Sequence, residues 1–171
     1  MNIKENSKIL KLSYIFNNYE NEIKEAKQTK KDAGTFLDEL LEKEINQRKE
    51  NGVRKRIHHA KFPIKKYLED FDRKKYSPEF IKEFEELDTL NFIDEKENII
   101  LIGTPGAGKS HYAIALGIKA CIAGKSVLFI SVPNLIIELK EAMSKSQLTA
   151  YKRKFEKYDL VVLDELRICF F

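Results

Sequence analysis

Residues 103–110 read Gly103-Thr104-Pro105-Gly106-Ala107-Gly108-Lys109-Ser110, a complete G-x-x-x-x-G-K-[ST] pattern. This pattern constrains the fold because its chemistry works only between a strand that leads in and a helix that leads out. An apolar run, Ile99, Ile100, Leu101 and Ile102, precedes it, and helix-periodic sequence follows from Lys109 to about Ala123. The first is read as a strand and the second as a helix. Gly103, Gly106 and Gly108 are expected to let the chain turn with positive φ and approach an anion with no Cβ in the way. Loop N–H groups would then face the phosphates, helped by the positive end of the helix dipole. Lys109 is the candidate for the β- and γ-phosphates, and the Ser110 hydroxyl for one position on Mg²⁺.

A second element points the same way. Leu160, Val161, Val162 and Leu163 form an apolar run that ends in Asp164 and Glu165. Such a run is expected to be a parallel strand buried on both faces. In open α/β sheets ligands sit at the carboxyl ends of strands, which would bring this acid pair beside the glycine loop. Asp164 is then the candidate for holding Mg²⁺ and Glu165 for polarising an attacking water. Taken alone, two acids at a strand end are better read as solvated charges; some fifty residues after a phosphate loop, the metal-site reading is preferred.

Composition narrows the class. Charged residues make up 34% of 171, with a net charge of +4, so a nucleic-acid partner is permitted and not demanded. The two cysteines, Cys121 and Cys169, provide no disulfide framework and no metal-type spacing, and Cys121 falls on the apolar side of a helix. No apolar stretch reaches membrane length and the first residues are polar, so a cytoplasmic protein with no membrane partner is expected.

The first hundred residues read as helical. Leu12, Ile15, Phe16, Tyr19 and Ile23 fall at helix spacing. Thr35 with Asp38 suggests a capping box ahead of a face made by Leu37, Leu40, Leu41 and Ile45. Between positions 48 and 66 eight basic residues stand against one acid. This stretch admits two readings, a DNA-phosphate contact with Arg54, Lys55, Arg56 and Lys61 as candidates, or a solvated helix face. Ser77 and Pro78 open a further helix with Phe80, Phe84 and Leu87 facing inward. Beyond the loop come a helix stopped at Gly124, a strand at 127–130, and a helix from Pro133 carrying Leu135, Ile136, Leu139 and Met143. A short helix with Leu148, Tyr151 and Phe155 then leads to the acid-ended strand. The alternation predicts an α/β fold with parallel crossovers. The expected division is a basic helical region over 1–76 and a phosphate-loop core over 77–171.

With these pieces in view the chain resembles the IstB family, ATP-binding helpers of bacterial insertion sequences. The resemblance is carried by Leu10-Lys11-Leu12-Ser13-Tyr14-Ile15, Ala60-Lys61-Phe62-Pro63, Leu68-Glu69-Asp70-Phe71-Asp72, the run from Glu97 through the loop to His111, Ala113-Ile114-Ala115-Leu116-Gly117, and Asp164-Glu165-Leu166. It implies a helical N-terminal region joined to an AAA+ ATPase core, with ATP and Mg²⁺ as ligands and His111 within the nucleotide-binding stretch. It also implies DNA and a transposase as partners and self-assembly in the full-length family. DnaC-type helicase loaders share the core and give the alternative function; a non-enzymatic DNA- or partner-binding fragment is a third reading. The family continues past the acid pair with glycine, an aromatic residue and further ATPase domain, whereas Arg167-Ile168-Cys169-Phe170-Phe171 follow here. On that comparison an interrupted gene and an incomplete sheet are expected, and the run at 99–102 lacks its neighbours on both sides. Hydrolysis, deprived of the family's arginine finger, is expected to be weak or absent.

Overall fold

The computed structural model describes residues 2–166. The terminal run 167–171, with Cys169, lies outside the described residues. The chain forms two compact units, Met1–Arg54 and Lys55–Phe171. Residues 55–76 thus pack with the phosphate-loop half, because Ala60 and Phe71 enter the same core as Tyr112 and Val127.

The first unit is built from α1 (Ile3–Ile9), α2 (Ser13–Gln28) and most of α3 (Ala33–His59). α1 starts on a capping box in which Asn2 and Glu5 each accept the other's backbone N–H. α2 has no cap of its own. Its first N–H groups, on Ser13, Tyr14 and Ile15, donate to the carboxylate of Glu44 at 2.9, 2.8 and 3.1 Å. Glu44 is buried on α3, one turn beyond the buried Leu40, so a single line of α3 both packs and caps α2. Arg48, a further turn along, donates to Glu44 at 3.3 Å and to the Lys11 carbonyl at 3.1 Å.

Two expectations for α3 are corrected. Its N-terminal cap is Asp32, whose carboxylate accepts from the N–H groups of Gly34 and Thr35. The Thr35 hydroxyl also bonds that carboxylate, and this bond with the two amides holds Asp32 below the usual carboxylate range. Asp32 wins over Thr35 because it stands where those amides are still unpaired. Leu37, Leu41 and Ile45 are exposed, so of the expected apolar face only Leu40 is buried.

The second unit continues from the end of α3 through a 3-10 turn at Leu68–Asp70, α4 (Pro78–Asp88), α5 (Asn91–Asp94) and α6 (Lys109–Ile122). Then follow β1 (Val127–Ser131), α7 (Val132–Ser144), α8 (Leu148–Phe155) and β2 (Leu160–Asp164). β1 and β2 pair in parallel, with Val127 opposite Leu160 and Ser131 opposite Asp164. Asp159 locks the start of the pair by accepting from the Ser126 N–H at 2.6 Å and hydroxyl at 2.7 Å. On its other edge β1 is met by the chain after α3, where the Phe129 N–H donates 2.8 Å to the Ala60 carbonyl.

α6 covers the sheet with eight buried residues, Cys121 among them. A close approach makes this possible: a Cβ on Gly117 would stand 2.8 Å from the Phe62 ring and 3.6 Å from Val127. Arg56 ties the end of α3 to the end of α6 by donating 2.7 Å to the Cys121 carbonyl.

The run at 99–102 is not a strand. It pairs with nothing among the described residues, and Ile100 and Ile102 are 73% and 88% exposed. β2 is also less buried than expected, with Leu163 exposed, because β1 is its neighbour on one edge only. Phe80, read as inward-facing, is exposed, while Phe84 is buried and Leu87 packs against the core; Ile136 and Met143 of α7 are exposed.

Candidate nucleotide site

The loop opens where the run at 99–102 ends and closes as α6 begins. Gly106 and Gly108 have φ of +80° and +88°, whereas Gly103 is not left-handed, so two of the three loop glycines carry the turn. At Gly108 the requirement is double. Its φ disfavours a side chain, and a Cβ there would meet Phe71 at 3.1 Å and the Tyr76 hydroxyl at 3.3 Å. Nothing lies within 4 Å of the Cβ position at Gly106, which faces open space.

Lys109 folds back over the loop, donating to the carbonyls of Gly103 at 2.7 Å and Thr104 at 2.8 Å. The first amides of α6 have no carbonyl inside the helix to bond, as at any helix start. Ser110 donates its hydroxyl to Oδ1 of Asp164 at 2.9 Å. That bond joins the start of α6 to the end of β2, residues 54 apart in sequence. A hydroxyl and a carboxylate are the hard oxygen ligands that Mg²⁺ prefers, so the donor set fits that ion.

Glu165 follows directly, with φ +59°. The other left-handed side-chain-bearing residues among those described stand beside helix ends; Glu165 stands at the end of a strand. Holding a non-glycine residue there costs about 1 kcal/mol. The acid pair lines a cavity of about 480 Å³ at the carboxyl ends of β1 and β2, together with Ser131, Asn134, Lys61 and Lys154. A second groove of about 620 Å³ borders the loop at Gly103, Thr104 and Ala107–Lys109 and is walled by Phe71, Tyr76, Phe84 and the run at 99–102.

The remaining sequence candidates are distributed as follows. Thr104 and Pro105 lie on the exposed part of the loop. His111 packs edge-on against Phe71 at 5.5 Å, and its Nε2 is buried without a hydrogen-bond partner. Arg54 is exposed and stands 3.6 Å from Glu50 in its own unit. Lys55 is exposed, Arg56 is half-buried and held by Cys121, and Lys61 lines the cavity of the acid pair.

Sequence reasoning missed the supports of the loop. Tyr76 donates its hydroxyl to the Ala107 carbonyl and stacks on Phe71 at 5.6 Å. Tyr112, on the first turn of α6, donates to the Phe84 carbonyl and to Asp88, each at 3.0 Å, and Asp88 in turn pairs with Arg73. Burial, with Asp88 beside it, drives the Tyr112 phenol far above its ordinary value, so it stays a donor. The one available signal was the density of aromatic residues between 67 and 84.

Loop, serine and acid thus stand together at the start of α6 and the end of β2. The family model described as "IstB-like ATP binding protein" matches residues 5–170. The chain belongs to this family. A Pseudomonas aeruginosa protein named for insertion sequence IS21 and for ATP binding is 34% identical over 92% of this chain and 59% of its own length. Relatives named likewise for IS5376 of Geobacillus stearothermophilus and IS232 of Bacillus thuringiensis are 35% and 32% identical, over 77% and 76% of this chain. Each of these two is covered over 52% of its length, so the chain spans about half the length of the curated relatives it matches. No helix among the described residues is long and apolar enough to cross a membrane.

Proposed function

We propose that this chain binds Mg²⁺-ATP at the loop 103–110 and serves, as an IstB-like protein of the cytoplasm, as a helper of DNA transposition. The observation that carries the nucleotide reading is the Ser110–Asp164 hydrogen bond, which brings the phosphate loop and the acid-ended strand into one site. Lys109 exchanges two loop carbonyls for β- and γ-phosphate oxygens, a charge-assisted and therefore stronger bond. Ser110 and Asp164 hold the ion, and when bound Mg²⁺ neutralises charge on the phosphates. Glu165 accepts a proton from the attacking water. Neither cavity is lined by an arginine among the described residues, so no guanidinium stands at either to stabilise the transferring phosphoryl group. Uptake of ATP by this chain alone is therefore expected to exceed its turnover.

The insertion-sequence names of the relatives support the transposition role, and that role calls for a transposase as protein partner. DNA contact is assigned to the basic segment at the end of α3 and just after it, where Lys55 and Lys61 keep their charges outside any ion pair found among the described residues. Its signature is affinity for duplex DNA that falls steeply as salt rises and falls less steeply in a Lys55→Ala, Lys61→Ala variant.

The nucleotide reading is tested by equilibrium titration with Mg²⁺-ATP. Lys109→Ala is expected to weaken binding roughly 10- to 100-fold, the worth of a charge-assisted bond to phosphate. Absence of uptake by the unaltered chain, or indifference to Lys109→Ala, would overturn the reading.

A further inference from the structure

We propose that Tyr76 is a positioning residue of the phosphate loop, acting through the Ala107 carbonyl; the proposal rests on the nucleotide reading above. The Ala107 carbonyl and the Gly108 N–H belong to one plane, and no peptide bond among the described residues is cis. In a trans peptide those two groups point in opposite directions. Tyr76 donates its hydroxyl to the Ala107 carbonyl, so the Gly108 N–H is aimed away from the aromatic pair. That amide is one of the donors a phosphate loop turns toward its anion.

Phe71 completes the clamp. It stacks on Tyr76 with ring planes 27° apart, and its edge lies 3.1 Å from where a Gly108 side chain would begin. The glycine is thus held on its outer side by two rings and on its preceding carbonyl by one hydroxyl. With φ at +88° and no side chain to restrict it, Gly108 would otherwise sample several backbone states. Loss of the tether lets the Ala107–Gly108 peptide rotate, which turns the N–H aside or, on a full flip, presents the carbonyl where the phosphate needs a donor. The residue adds no charge and touches no reacting atom in this reading; it sets the orientation of an amide that does.

The test compares Tyr76→Phe, which keeps the ring stack and removes the one hydroxyl, with the unaltered chain and with Tyr67→Phe, an exposed tyrosine outside the site. The expected result is a 3- to 10-fold weaker affinity for Mg²⁺-ATP in Tyr76→Phe alone. A similar fold-loss is expected for Mg²⁺-tripolyphosphate, since the effect acts on the phosphates. Amide hydrogen exchange at Ala107–Lys109 in the nucleotide-free protein is expected to speed up in Tyr76→Phe, while exchange in β1 stays unchanged. A purely structural hydroxyl would instead speed exchange throughout the second unit and lower the melting temperature with no selective change at the loop. Affinity within twofold of the unaltered chain, or loop exchange unchanged, overturns the tether while leaving the nucleotide reading intact. If the unaltered chain takes up no Mg²⁺-ATP, the nucleotide reading fails, and the positioning role fails with it.

Discussion

Two apolar runs of the second unit, Val127-Leu128-Phe129-Ile130 and Ile99-Ile100-Leu101-Ile102, have nearly the same β-forming character and opposite fates. The first is β1, with all four residues buried. The second forms no strand and stays unpaired among the described residues, with Ile102 almost fully exposed. β1 has a hydrogen-bonded neighbour on each edge, β2 on one and the Ala60 carbonyl on the other, and α6 across one face. The run at 99–102 has a groove wall on one side and no strand beside it among the described residues. An apolar run becomes a strand when its backbone polar groups find partners, and hydrophobic side chains cannot supply them. Exposed in this way, the run is the sort of edge that invites pairing with another chain.

The comparison can be broken most directly at Leu128, which is 2% exposed. Leu128→Ala is expected to cost about 2–5 kcal/mol of unfolding free energy, read by urea denaturation. A cost below 1 kcal/mol would mean that the buried strand does not hold the unit together.

Cys121 probes the same core by chemistry. Burial pushes its thiol up to about 11 from an ordinary value of 9.0. The folded state therefore keeps the proton that the unfolded chain releases. Its contribution is complete below about pH 9 and is lost as pH rises through about 11. Alkylation at pH 8, mapped by peptide mass so that Cys169 is scored separately, is expected to spare Cys121 until denaturant unfolds the unit. Rapid native labelling would show that the core opens.

The smallest effect belongs to the exposed run. Ile102→Ser is expected to change stability by no more than about 0.5 kcal/mol, as at an ordinary surface site. A loss comparable to that of Leu128→Ala would show that Ile102 is packed in solution.

Much of the site was legible in the sequence. The glycine loop, the helix after it and the acid-ended strand all follow from short-range rules, because turn chemistry, helix start and strand burial are written within a few residues. Gly124, at φ +95°, ends α6 where expected, and Ser77 with Pro78 opens α4. The cap of α3 was misassigned by three residues, since Asp32 and Thr35 are both good caps and only the backbone decides which one faces free amides. Of the apolar face of α3 only Leu40 is buried, because periodicity identifies an apolar side without saying how much of it is covered.

By itself the sequence determined that a phosphate loop exists, which residues compose it and which acids stand at the end of a later strand; these are local spacings of residue types. Tertiary structure alone decided that Ser110 reaches Asp164, that Tyr76 holds Ala107, that Glu44 caps a helix it does not belong to, and that Arg56 serves the end of α6. Each of these joins residues 29 or more positions apart, and where the groups leave water, as at Glu44, they must find a partner somewhere. No local pattern names that partner, since its position depends on how separate elements come to rest against one another.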